Sequence, residues 1–320
     1  MIRIQGRMAE YGELWFDEEP PADAGVDILV HRYCSTPIPG ARKVTLQTLR
    51  TDLTRPVNEI MATFDDTCRR EIRRAENRDL LCYELIPESV DRLEEFTRFY
   101  DEFARQRGVW SADRHWLGRA AAAHLLILSH SSRGSEQLVW HAYLCIGATA
   151  CLMHSASWLR GKDNHYRSLV GRANRWLHWQ DILCFKRAGV RYYDWGGMFR
   201  DESTAERAGI NQFKRMFGGR PVQTYECTVP VNARGRIWLA LRDVGRGWPL
   251  RRGAPPLTRR LGQRRFGCPH LESIDLGDPP WTTTTDSPAV NQSTAPLPGG
   301  GQQPFTGLQH SSGAANNPTR

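Results

Sequence analysis

Much that would narrow the function is missing from this chain. No Cys-x-x-Cys pair occurs, and the eight cysteines, at 34, 68, 82, 145, 151, 184, 227 and 268, are scattered. Most sit in apolar runs, so they read as reduced core residues of a cytoplasmic protein rather than as a disulfide framework or a zinc site. No stretch approaches the roughly 18 consecutive apolar residues that span a bilayer. The longest, AAAHLLILSH, reads as the end of a buried helix expected over 113–129. The amino terminus, MIRIQGRMAEYGELWF, is strand-like and carries no signal-peptide pattern. No Ser-His-Asp or Cys-His arrangement is readable by spacing, no metal-ligand spacing is present, and no internal repeat is visible. Aliphatic residues nearly vanish from 269 to 320, where Pro, Thr, Ser, Gly, Gln and Asn dominate. Such a composition cannot bury enough apolar surface to order itself, and a disordered tail is expected.

What is present lies mainly before residue 244. Hydrophobic content is 40% overall, and the deficit falls in the tail, which leaves 1–243 to build the core. The formal charge is +8, which suits an anionic partner without naming one. Seven arginines between Arg246 and Arg265 form a basic segment expected either to touch anionic membrane or RNA or simply to solubilise the chain. Residues 1–58 look β-rich. A helix is predicted over 57–77 from the seam Ile60, Phe64, Cys68, Ile72 and Ala75. A strand follows at 80–87, then a second amphipathic helix over 90–107. EQLVWHAYLCIG and ATACLMHSASWL make a hairpin around Gly147. A helix over 170–189 ends at Gly189. VRYYDWGG, GINQFKRMFGG and PVQTYECTVPV then read as strand, helix and strand.

Two stretches carry candidate chemistry. Ser168-x-x-Gly171-x-Ala173 reads as a loop-to-helix junction, where unpaired N–H groups and the helix dipole favour an anion. Arg172 and Arg175 add charge there. A tight helix start needing no ligand has the same look. The second stretch runs from Tyr192 to Gly219. It places Asp194, Trp195, Gly196 and Gly197 at a strand end and Phe213-Lys214 on the next helix. Neutral histidines are good bases near pH 7. His141, His154 and His178 are the candidates, and each also reads as a hydrogen-bonded structural residue.

The order hairpin, small-residue helix start, strand, helix, strand resembles the core of the GNAT N-acyltransferase fold. That family's pyrophosphate loop is usually Q/R-x-x-G-x-G/A, and Ser168 departs from it. Tyr193-Asp194-Trp195-Gly196-Gly197 followed by Ile210-Asn211-Gln212-Phe213-Lys214-Arg215-Met216-Phe217-Gly218-Gly219 resembles the FemAB-like branch. TFDDTCRREIRRAENRDLLCYEL resembles the basic helix linking that branch's two lobes. The resemblance implies an α/β fold with a mixed sheet. It implies a truncated N-terminal lobe with its linking helix over 1–85, a GNAT-like catalytic domain over 86–243 and the tail over 244–320. It implies acyl or aminoacyl transfer to an amine, in cell-wall, peptidoglycan or polysaccharide biogenesis, from acyl-CoA or aminoacyl-tRNA and without metal. Lys214 would stabilise an oxyanion, Asp194 would take a proton or orient Lys214, and Phe213 would exclude water. Gly196 and Gly197 would admit the acyl group, with Trp195 beside them. Of the three histidines, the resemblance favours His154, on the strand just before the loop where the GNAT fold splays its strands around the acyl donor. The alternative is a non-enzymatic binding protein with a degenerate core, tethered to RNA or membrane by its basic tail.

Overall fold

The computed structural model describes residues 1–6, 8–158 and 163–247. The tail predicted over 244–320 lies outside the described residues from 248 onward. Strands β1 (Ile2–Gln5), β2 (Glu10–Trp15), β3 (Ile28–Cys34) and β4 (Arg42–Asp52) come first. Helices α1 (Val57–Ala62) and α2 (Asp66–Arg78), strand β5 (Cys82–Ile86), and helices α3 (Leu93–Arg107) and α4 (Arg114–Ala122) follow. Next are β6 (Leu126–Arg133), β7 (Glu136–Ile146), β8 (Thr149–Ser157), α5 (Asn164–Arg187), β9 (Tyr192–Gly197), α6 (Ala205–Arg215), β10 (Arg220–Pro230) and α7 (Ala233–Gly247).

All ten strands join one mixed sheet in the order β1-β2-β3-β10-β4-β9-β8-β7-β6-β5. Two pairs, β2–β3 and β8–β9, are parallel, and the rest are antiparallel. The N-terminal segment therefore completes the sheet of the C-terminal one: β4 lies between β9 and β10 and pairs with both. Two cores sandwich the sheet. Phe96, Leu117, Leu128, Trp140 and Ala142 pack under α3 and α4. Phe64, Ile72, Tyr143, Ile182, Trp195 and Phe217 pack under α2, α5 and α6. Burying each such side chain contributes about 1.5–3 kcal/mol.

Local chemistry explains where the elements depart from the periodicity. The helix expected over 57–77 is two helices, because the Asp65 carboxylate accepts from the Cys68 N–H at 2.6 Å and starts α2 afresh. The helix expected over 113–129 stops at Ala122, and Leu-Ile-Leu after it forms β6, pairing with β5 and β7. A short apolar run does not tell strand from helix by pattern alone. The β7–β8 hairpin forms around Gly147 as expected, with a bulge at Met153, since Ala142 pairs His154 while Tyr143 pairs Leu152. That extra residue puts Leu152 in the α5-side core and turns His154 toward α3, so the two do not share the face that strict alternation gives them. Six cysteines, 34, 68, 82, 145, 184 and 227, are free thiols.

Candidate active site

Parallel strands β8 and β9 pair over only three positions, Thr149–Tyr192, Ala150–Tyr193 and Cys151–Asp194. Beyond Asp194 the two strands are not paired: β8 continues along β7 and β9 along β4, which leaves a notch in the hydrogen-bond ladder at the middle of the sheet. β9 is also irregular against β4. Arg50 pairs Asp194 but Thr48 pairs Gly197, so β9 carries one extra residue across Trp195–Gly196. Gly196 accommodates this with φ +72°, a conformation that side chains disfavour.

Asp194 sits at the apex, fully buried. Its carboxylate accepts from the Thr48 hydroxyl, from Arg50 Nε at 2.6 Å and from the Gly196 N–H at 2.9 Å. These partners make it an anchor for the end of β9. The same Thr48 hydroxyl lies 2.9 Å from the Gly196 carbonyl, so its one proton is shared between the two acceptors. The Arg50 guanidinium lies over the Phe16 ring at 4.7 Å, where Phe16 and Asp17 both adopt positive φ. Lys214, 7% exposed, reaches from α6 to donate from Nζ to the Gly197 carbonyl at 2.8 Å. Burial pushes its ammonium down to about 8, and the Asp194 charge opposes this. A cation of that strength remains protonated at pH 7, beside the mouth of the notch.

Asn211, also fully buried, ties the segment after β9 to α6. Its side-chain oxygen accepts from the Phe199 N–H at 3.0 Å, and its amide nitrogen donates to the Phe199 carbonyl and to Glu202. Phe213 points the other way, toward α5, under the Arg175 guanidinium at 5.3 Å and against Phe217. Trp195 belongs to the core: it is fully buried, stacks on Phe217 at 4.4 Å and donates to the Thr51 hydroxyl. It is therefore not a surface on which substrate can lie.

The expected anion cradle at 168–175 is not where the pattern placed it. α5 begins at Asn164, capped by Asp163, whose carboxylate accepts from the Tyr166 N–H at 2.8 Å. Ser168, Gly171 and Ala173 therefore lie inside the helix, and the Ser168 hydroxyl bonds back to the Asn164 carbonyl. Arg172 is buried and grips Asp79 of the α2 end with two hydrogen bonds of 2.5 and 2.9 Å. Arg175 donates to the Gly171 carbonyl. The Asp-Asn-His sequence at 163–165 was the cap signal in the sequence. Thr48 and Arg50 had no comparable signal as site residues, because topology alone brings β4 to β9, whereas Asn211 lies within the Ile210–Gly219 stretch that the sequence singled out.

His154 lies on the β8 arm, between Tyr100 at 4.6 Å and Phe96 at 6.1 Å. Burial pushes its ring down to about 4. It is neutral at pH 7 and a weak base. The other two histidines enter one buried network on the α5 side. Asp181 accepts from His141 Nδ1 at 2.8 Å, from the Tyr143 hydroxyl at 2.6 Å and from the Tyr83 hydroxyl at 3.0 Å. The Tyr143 proton is committed to Asp181, so Tyr193 donates to Tyr143 at 2.7 Å and His178 Nδ1 donates to Tyr193 at 2.7 Å. This leaves His178 Nε2 as a buried lone pair without a partner. Burial holds the His178 ring well below its ordinary range, and His141, Lys214 and Arg175 add to the effect.

His141, His178 and Asp181 also place potential ligand atoms within 4.8 Å of one another. The two imidazoles, however, are stacked at 4.0 Å and 28°. Lone pairs lie in the ring planes, and nearly parallel planes do not converge on one ion at about 2.0–2.1 Å. The group fits a hydrogen-bonded core better than a metal centre.

No protein-family model matches the sequence, and no curated protein matches it. Among solved structures, the chain is similar to FemX, with 13% identity, 61% of this chain and 63% of that chain covered, and a TM-score of 0.48. It is similar to the C-terminal domain assigned to a lysylphosphatidylglycerol synthetase of Agrobacterium fabrum, with 14% identity, coverage of 68% and 72%, and a TM-score of 0.42. It is similar to L-PGS from Bacillus licheniformis, with 12% identity, coverage of 68% and 72%, and a TM-score of 0.41. No described helix is long and apolar enough to cross a membrane. The centre of the mixed sheet holds a hairpin, β7–β8, and two parallel strands, β8 and β9, that pair at three positions and are joined through α5.

Proposed function

We propose that this protein is an acyltransferase that moves an acyl or aminoacyl group from an activated carrier, acyl-CoA or aminoacyl-tRNA, to an amine in cell-envelope or polysaccharide synthesis. The observation that carries this reading is the buried Lys214 ammonium at the mouth of the β8–β9 notch, held on the Gly197 carbonyl. An amine attacking a thioester or ester carbonyl forms a tetrahedral oxyanion. A preorganised donor at that oxygen is worth about 3 kcal/mol in comparable sites. Collapse then expels the thiolate or alkoxide and leaves the amide, and the amine's proton passes to solvent or to a base. In this reading Lys214 supplies the donor. The network of Thr48, Arg50 and Asp194 holds the β9 end, and Asn211 holds the loop behind it. Contact of the basic tail with anionic membrane would bring the enzyme to an envelope acceptor.

The test is thermal unfolding of the full chain with acetyl-CoA, longer acyl-CoAs and charged tRNA. A ligand at about 100 times its Kd stabilises by about 2.7 kcal/mol, a shift of about 5–10 °C for a domain of this size. A shift with one carrier class identifies the donor. No shift with any of them removes the acyltransferase reading.

A further inference from the structure

Helix α7 is apolar on both sides. Its inner side is pressed onto β3 and the loop before it. A Cβ at Gly235 would stand 2.0 Å from the Asp27 carbonyl oxygen, Leu239 is buried, and Trp238 Nε1 donates to the Tyr11 hydroxyl at 2.5 Å. The Asn232 carboxamide fastens the start by accepting from the Gly235 N–H at 2.9 Å. The outer side carries Ala233, Ile237, Ala240 and Leu241, all exposed, with Ile237 at 63% and Leu241 at 56%. Their spacing of four, seven and eight residues is that of one helical stripe. A stripe of this kind on a soluble surface marks a contact with something apolar.

Charge identifies the contact. Arg234 and Arg236 flank the stripe on its two sides, both exposed, and no acidic residue lies on it. Asp27 lies 3.5 Å from Arg234 but on the inner side, 9% exposed. Asp243 is held by Arg42 at 2.5 Å. The sequence of α7 includes Arg246 in its last turn, and the chain continues with Arg251 and Arg252. We infer that α7 is a membrane-docking helix that lies in the plane of an anionic lipid surface, with Ile237 and Leu241 inserted below the headgroups and Arg234 and Arg236 on lipid phosphates. The apolar stripe requires an apolar layer, and the arginine on each side requires a dense anionic plane at its edge. A bilayer bearing phosphatidylglycerol offers both in that geometry.

The experiment is flotation of the full chain with vesicles of phosphatidylcholine alone or mixed equally with phosphatidylglycerol, at two salt concentrations. Binding to the mixed vesicles is expected, weakened by salt. The Ile237→Glu/Leu241→Glu variant should bind at least about tenfold more weakly with an unchanged circular dichroism spectrum. Replacing the tail arginines 251, 252, 259, 260, 264 and 265 by glutamine should leave binding that still depends on Ile237 and Leu241. Undiminished binding by the Glu variant would overturn the proposal and assign lipid contact to the tail. A wild-type dimer abolished by the same two changes, without vesicle binding, would overturn it in favour of a second copy of the chain.

Discussion

Lys214 and His154 flank the notch, and burial lowers both, to about 8 and about 4. For Lys214 the consequence for rate and for stability differs. Only the protonated form donates to an oxyanion, so turnover should fall as pH rises through about 8, which a pH–rate profile of wild type will show. Stability moves oppositely. Between about 8 and the unfolded value near 10.5 the unfolded chain holds the extra proton, so folding gains as pH rises through that window. Lys214→Met should therefore lower turnover at least about tenfold at pH 7 without lowering the melting temperature there, by parallel kinetic and thermal assays. His154 acts at the other end of the scale. The unfolded ring takes a proton near pH 6.5 and the native ring only near 4, so stability is lost as pH falls across that interval. His154→Phe should flatten the decline of melting temperature between pH 6.5 and 4. A decline of unchanged slope would place the acid sensitivity elsewhere.

Among the elements, α2 and α5 are joined by a buried charge pair. Arg172 is 3% exposed and Asp79 is its bidentate partner. Removing one member of such a pair strands the other, so Asp79→Ala should cost about 3–5 kcal/mol in denaturant unfolding, and adding Arg172→Met to it should recover much of the loss. The end of α6 is held as tightly. Gly218 has φ +68°, and a Cβ there would stand 2.5 Å from the Thr63 carbonyl oxygen between α1 and α2. Gly218→Ala should destabilise by more than about 1 kcal/mol and disturb Lys214, so activity and melting temperature should drop together. That coupling separates it from Lys214→Met, which removes activity alone.

At the scale of the molecule, elements with strong periodicity or punctuation were legible: the hairpin around Gly147, the stop of α5 at Gly189, and the strand and helix that carry Asp194 and Lys214. Local competition hid others. Asp65 and Asp163 set helix starts through single hydrogen bonds that an apolar pattern does not register, and the Ala run before Leu126 masked a strand. Thr48 and Arg50 were illegible for a different reason. Their role exists only because β4 slots between β9 and β10, and nothing local in KVTLQTLRTDL says which strands it will meet. Arg50 and Asp194 are 144 residues apart in the chain. On a ribosome adding about 5–20 residues per second, β4 emerges roughly 7–30 s before its partner exists. During that interval a finished strand has both edges open. The protein's first fifty residues must therefore be sheltered, or weakly sticky enough to wait, and the notch at the end of β9 is among the last features to form.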